Sequence, residues 1–245
     1  MGGFLKDMPN NKLVTFVLSY YNQPKNVLIR HLSLWNNYSS AIKNHLSFIL
    51  IDDCSKIPVS ELIDLNTHEN IDLSIYSVKD DLFCNISGTR NLGAFLCNSP
   101  YLFILDMDTC VNSKLAYTVV SLAKFNSDKR NVFKFTRIVP SDKKHKKHKK
   151  PHPAVCLIRK SDYWNIGGCE EDLVGNYGYT DPCFWQRAKG KVKVHTFKKP
   201  YLLYYPDGEC NIKRDGSRNK RIFKERCKKN NWSNDCLRFN WKKMY

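Results

Sequence analysis

Apolar positions in this chain gather into short unbroken runs that stop abruptly at polar clusters. Residues 13–18, Leu-Val-Thr-Phe-Val-Leu, end at Ser19-Tyr20-Tyr21-Asn22. Residues 46–51, Leu-Ser-Phe-Ile-Leu-Ile, end at Asp52-Asp53-Cys54-Ser55. Residues 71–78 alternate, and residues 101–105, Tyr-Leu-Phe-Ile-Leu, end at Asp106-Met107-Asp108-Thr109. A short apolar run bounded by polar residues predicts a buried central strand. Between the runs, Leu28, Leu32 and Trp35 recur at helical spacing after Pro24. Residues 59–65 read as a short helix, and residues 86–98 read as helical despite Gly88 and Gly93. Strand–helix–strand order of this kind predicts parallel pairing with right-handed crossovers.

The pattern changes after residue 110. An amphipathic helix is predicted over 113–125, with strands over 131–139 and 154–159. Ser161-Asp162 caps a short helix running into Gly167-Gly168. Thr180 reads as an N-cap, with Pro182 in the first turn of a helix through Ala188. A strand over 191–197 and a basic, Trp-bearing tail follow. The chain has no internal repeat.

At 245 residues, 42% hydrophobic and 13% aromatic, the chain is expected to fold as a single domain rather than remain disordered. Lys plus Arg number 40 against 23 Asp plus Glu, a formal charge of +17. That surplus points to anionic partners: phosphates, nucleic acid, acidic glycans or a membrane surface. Part of it is local, in Lys143–Lys150, which reads as a solvated, extended loop because like charges repel. No basic-then-apolar leader is visible at the N-terminus, and no apolar run approaches transmembrane length. Ten cysteines are scattered without a CxxC pair, which fits reduced thiols in a cytoplasmic protein. The basic surface also suits a position peripheral to a membrane.

Asp106 and Asp108 carry the first chemistry. Two carboxylates at the end of a buried strand make a poor apolar core and a good cradle for a hard divalent cation. Asp-x-Asp by itself is a weak signal. Polar clusters ending several parallel strands, however, converge on one crevice at the sheet's carboxyl edge.

These residues resemble nucleotide-sugar glycosyltransferases of the GT-A fold, most nearly glycosyltransferase family 2. The resemblance covers about residues 12–200. It runs, in the family's order, through Ser19-Tyr20-Tyr21-Asn22, Ile49-Leu50-Ile51-Asp52-Asp53-Cys54-Ser55, Gly88-Thr89-Arg90-Asn91-Leu92-Gly93 and Asp106-Met107-Asp108. It ends with Gly167-Gly168-Cys169-Glu170-Glu171-Asp172 through Gly178-Tyr179-Thr180-Asp181, with Arg187 in the next helix. This last part resembles the acceptor segment of galactosyltransferases and polysaccharide synthases. The fold implied is α/β, a GT-A (Rossmann-like), mixed and mostly parallel sheet flanked by helices. Residues 1–212 would form the domain, with a donor half over about 12–110 and an acceptor half over about 111–212, and 213–245 a basic helical tail packed on it.

The activity implied is a metal-dependent, inverting transfer from a nucleotide-diphosphate sugar, leaning to a UDP-sugar, onto a glycan or glycoconjugate hydroxyl. By resemblance Ser19, Tyr21 and Asp53 hold the nucleobase. Arg90 lies near the nucleotide and its phosphates, and Asp106 faces the ribose or donor sugar. Asp108 binds Mn²⁺ or Mg²⁺, with Asp207 near where a third ligand would fall. Asp181 is the general base, and Tyr177, Tyr179 and Trp185 offer stacking faces to the acceptor. The family usually has Glu-Asp where this chain has Thr180-Asp181, so Glu171 or Asp172 is expected to hold acceptor hydroxyls instead. Two other classes stay open from sequence. One is a nucleotidyltransferase, which also uses metal, Asp residues and a nucleotide crevice but usually shows a glycine-rich phosphate loop. The other is a non-catalytic nucleic-acid-binding protein, which explains the basic runs but not the ordered acids at strand ends.

Overall fold

The computed structural model describes residues 12–126, 130–142 and 149–245. The N-terminal reading and residues 143–148 of the basic run lie outside the described residues. In chain order the elements are β1 (Val14–Tyr20), α1 (Lys25–Asn36), α2 (Ser40–Lys43), β2 (Leu46–Asp52), α3 (Val59–Leu62), β3 (Leu73–Val78), α4 (Ile86–Leu96), β4 (Tyr101–Leu105) and β5 (Thr109–Cys110). Then come α5 (Ser113–Phe125), β6 (Asn131–Ile138), β7 (Cys156–Arg159), α6 (Lys160–Ile166), α7 (Thr180–Ala188), β8 (Lys193–Tyr204), α8 (Ser217–Lys229) and β9 (Trp241–Lys243).

The strands form one sheet in the order β5-β8-β6-β7-β4-β1-β2-β3-β9. β3, β2, β1 and β4 pair in parallel, as the strand–helix alternation predicts. Every residue of β1 and β4 is buried, because crossover helices cover both faces of these strands. Alternate residues feed opposite cores. Phe16 meets Phe48 and Phe103 edge-on, at 5.3 and 5.1 Å between ring centroids, on one face. Val17 and Ile49 join Leu92, Tyr163 and Phe184 on the other.

The second half is mixed. β7 runs antiparallel to both β4 and β6, and β6 pairs in parallel with β8. β8 extends to Tyr204, well past the stretch over 191–197 that alternation marks. The tail is not wholly helical: after α8, β9 adds an antiparallel edge strand beside β3. Trp241 of that strand packs against Phe95 and Phe239.

α4 tolerates its glycines because it lies hard against the sheet. A Cβ at Gly93 would sit 2.2 Å from Val17 Cγ1, so only a residue without a side chain admits this approach. The close seating carries Arg90, three residues earlier, to the carboxyl edge of β1 and β4. Among the described residues no helix is long and apolar enough to cross a membrane.

Candidate active site

The ends of β1, β2 and β4 open into a cleft of about 320 Å³. Ser19, Tyr21, Asp53, Arg90, Asp106 and Asp108 all line it, as do Tyr179 and Asp181 from the second half of the chain. The two acids ending β2 divide their work. Asp52 turns back to accept from the backbone N–H of Ser55 at 2.9 Å and of Val59 at 3.0 Å, which closes the loop after the strand. Asp53 faces the cleft. Its Oδ2 accepts from the Asn85 N–H at 3.2 Å, while Oδ1 is shielded from solvent with no donor. Burial pushes the Asp53 carboxyl up to about 7. Ser19 is fixed by a 2.8 Å hydrogen bond to Thr89 Oγ1, and the Tyr21 hydroxyl donates to Asp81 at 3.2 Å.

At the other end stands the Asp106-Met107-Asp108 loop. Arg90 is buried and bridges two acids, donating from Nη2 to Asp106 at 2.7 Å and from Nη1 to Asp181 at 2.8 Å. Burial alone would raise the Asp106 carboxyl, but the charges of Arg90 and then His152 outweigh it and hold it below its usual range. Asp108 goes the other way: burial raises its carboxyl against the opposing contact from His152. The loop is pinned from behind by His31. Burial pushes this imidazole down to about 4, so it is neutral and donates from Nε2 to the Met107 carbonyl at 3.1 Å.

His152 escaped sequence reasoning. It lies between Pro151 and Pro153 at the end of the basic run, and only the antiparallel return of β7 beside β4 brings it to the loop. Its Nε2 is 3.5 Å from Asp108 Oδ1, and its Nδ1 is 3.9 Å from Asp106 Oδ2. Ligand atoms of Asp106, Asp108 and His152 all lie within 4.8 Å of one another. Asp207, expected as the third ligand, is instead held bidentately by Arg30, at 3.0 and 2.5 Å, on the exposed side of the loop. Its neighbour Gly208 touches the loop: a Cβ there would fall 2.5 Å from both Asp108 Cα and the Met107 carbonyl oxygen.

The donor set suits a divalent cation. Two carboxylates and an imidazole match a divalent metal that accepts both oxygen and nitrogen ligands. Asp108 Oδ1 is moreover shielded from solvent and meets only His152 Nε2, at 3.5 Å, an under-satisfied carboxylate oxygen that a cation relieves.

The second half of the chain differs from expectation in three places. Thr180 is the first helical residue of α7, not its cap; the cap position is Tyr179, held at φ 66°. Asp181 thus stands in the first turn, facing Arg90. Glu171 does not face the cleft: its carboxylate accepts from Asn91 Nδ2 and from the Leu237 N–H, both at 2.8 Å, and so ties down the tail. Asp172 pairs with Arg226 and, at 2.9 Å, with Arg238, again turned toward the tail. Both acids line a second, separate depression. Trp185 stands behind the His152 segment, donating from Nε1 to the Pro153 carbonyl at 2.7 Å under the Lys134 ammonium. Of the expected acceptor residues, Tyr177 and Tyr179 line the cleft.

α8 supplies an anchor that sequence patterning does not reveal. Asn219 is fully buried, and its Nδ2 lies within 3.4 Å of the carbonyl oxygens of Leu173, Asn176, Tyr177 and Gly178. The loop leading to Tyr179 and Asp181 therefore folds around one side chain of the tail.

No protein-family model matches the chain, and no curated protein matches it in sequence. Among solved structures it is similar to S. aureus TarS 1–349, with 12% identity and a TM-score of 0.61 over 79% of this chain and 60% of that one. The same protein in complex with UDP-GlcNAc aligns at 12% identity with a TM-score of 0.62, over 84% of this chain and 60% of that one. A longer TarS structure aligns at 14% identity and a TM-score of 0.58, over 79% and 36%. The chain thus spans 60% of the length of TarS 1–349. With the strand order above, this likeness establishes the GT-A arrangement as the fold.

Proposed function

We propose that this chain, on the fold it shares with a protein solved in complex with UDP-GlcNAc, transfers a sugar from a nucleotide-diphosphate donor to a hydroxyl acceptor. One observation carries the reading. A shielded acid for a nucleobase, a three-ligand cluster and a carboxylate on the acceptor half all open into one cleft at the carboxyl edge of a parallel sheet. Ligands of open α/β sheets bind in that place.

Tyr21 offers a ring for the base to stack on, and the Asp53 carboxylate, which lines the cleft, accepts a ring N–H. Uracil presents such an N–H, which favours a uridine nucleotide. Asp106, Asp108 and His152 would hold Mn²⁺ or Mg²⁺. A bound divalent cation supplies Lewis-acid neutralisation of the diphosphate. Asp106, tied to Arg90, stands beside the donor sugar. Asp181 accepts the proton of the acceptor hydroxyl as that oxygen attacks the anomeric carbon. Arg90 fixes both acids at once, so base and donor site keep their spacing. Attack from the Asp181 side, opposite the departing diphosphate, inverts the anomeric carbon. Tyr177 and Tyr179 wall the acceptor end, while Glu171 and Asp172 act at a distance by seating the tail.

The test is a thermal-shift screen of nucleoside diphosphates and nucleotide sugars, with Mn²⁺ and with chelator, followed by mass spectrometry of transfer products. A ligand that binds only the folded state raises Tm. The expected result is a rise for UDP or a UDP-sugar that chelator removes. No rise for any nucleotide, with or without metal, would refute the donor reading.

A further inference from the structure

The cleft holds a guanidinium to which the roles above give no work. Of the arginines lining it, Arg90 is taken up by Asp106 and Asp181, and Arg214 is paired with Glu209. Arg137 has no carboxylate at ion-pair distance among the described residues. Its Nε is shielded from solvent and meets no acceptor.

The chain builds this position with care for direction. β6 and β8 stay in register as far as Phe135 opposite Phe197, then resume at Arg137 opposite Leu202. An irregularity of this kind re-aims the side chain that follows it, and such breaks recur beside active sites. The Arg137 N–H is pinned to the Lys150 carbonyl at 2.9 Å. Its guanidinium lies over the Tyr204 ring, 4.7 Å from the centroid. A planar fork already stacked on an aromatic face loses little further freedom when an anion binds it.

We propose that Arg137 binds the diphosphate of the donor and stabilises it as the leaving group. Arg90, expected near the phosphates, already has both terminal nitrogens engaged by carboxylates, so Arg137 is the lining guanidinium ready for an anion. When the bond between the anomeric carbon and the diphosphate oxygen breaks, its electron pair stays on that oxygen. The added negative charge then develops beside Arg137, while the acceptor proton goes to Asp181. A preorganised cation at the point where charge appears acts on the transition state more than on the ground state.

This inference rests on the donor reading, and one experiment separates the two. Calorimetric titrations of UDP and of uridine, both with Mn²⁺, are run on wild type, Arg137→Gln and Arg137→Lys. Arg137→Gln should weaken UDP by about 10- to 100-fold and leave uridine unchanged, because only UDP carries the diphosphate. Arg137→Lys, which keeps the charge but loses the fork, should fall between. The ligand-free Tm of each variant reports folding; if Arg137→Gln does not fold, the lysine variant carries the comparison. UDP affinity at the wild-type level in a folded variant overturns the assignment, and so does an equal loss for uridine and UDP. Wild-type protein that binds no nucleoside diphosphate overturns the donor reading and this assignment with it.

Discussion

Replacing Asp181 by asparagine tests the catalytic assignment and its structural alternative on one variant. The wild-type carboxylate accepts from the buried Arg90 guanidinium at 2.8 Å, while Asp106 accepts from the same group at 2.7 Å. Asparagine keeps the shape and an oxygen that still accepts from Nη1, so the cost is the loss of charge, not of the hydrogen bond. Hydrogen bonds to charged groups contribute about 1.5–3 kcal/mol and neutral ones about 1, so the change costs roughly 0.5–2 kcal/mol. Asp106 remains to neutralise Arg90, which keeps the loss below that of an orphaned buried charge. For a chain of this size each kcal/mol moves Tm by about 2–4 °C, so Tm should fall by roughly 1–8 °C. The kinetic effect is larger: loss of a positioned base typically costs on the order of 10²–10⁴ in rate. The assay pairs UDP release during transfer with UDP affinity by calorimetry and Tm by calorimetric scan. Poor turnover with near-normal UDP affinity and a modest drop in Tm supports Asp181 as base. A drop in Tm with near-wild-type turnover leaves Asp181 only its contact with Arg90 and removes it from the mechanism.

Asp108→Asn should abolish the Mn²⁺-dependent part of UDP binding while the protein stays folded, as read by thermal shift with and without chelator; retained metal dependence sinks the ligand assignment. Gly208→Ala forces backbone to move, since its Cβ would lie 2.5 Å from Asp108 Cα and the Met107 carbonyl oxygen. Overpacking of this kind costs about 1–3 kcal/mol, and here metal-dependent binding should weaken along with Tm; an unchanged metal response speaks against the role given to this contact. Asp53 predicts a pH dependence. Its carboxyl is raised by burial from 3.8 to about 7, so the folded chain keeps a proton that the unfolded chain has lost across that window. Its contribution to the stability of the free protein is present below the unfolded value and is lost as pH rises through about 7. Ionised Asp53 is the form that accepts a ring N–H, so uridine affinity should rise over the same range. Asp53→Asn should flatten both profiles, measured as Tm and uridine affinity against pH; profiles that persist in the variant assign the titration elsewhere.

Much of the first half of the chain was legible because its information is local. β1, β2 and β4 are continuous apolar runs stopped by polar residues, and burial on both faces leaves that mark in any chain. The order of strands and helices then implies parallel pairing, and parallel pairing places Ser19, Asp53, Asp106 and Asp108 at one edge. The second half was less legible because its information is contact between distant segments. His152 reaches the Asp106–Asp108 loop only through the antiparallel placement of β7, which no periodicity announces. Asp207 has the right residue type at a suitable place in the chain, yet Arg30 of α1 takes it. Glu171 and Asp172 look like acceptor ligands in one dimension and serve as anchors for the tail in three. Arg137 reads as one more basic residue on a strand until a register break and the Tyr204 ring aim it into the cleft. Apolar patterning chooses which face of an element is buried, because hydrophobic burial is non-directional and nearly additive along the chain. Which carboxylate meets which cation depends on distances of a few ångströms between elements, and the packed fold alone sets those.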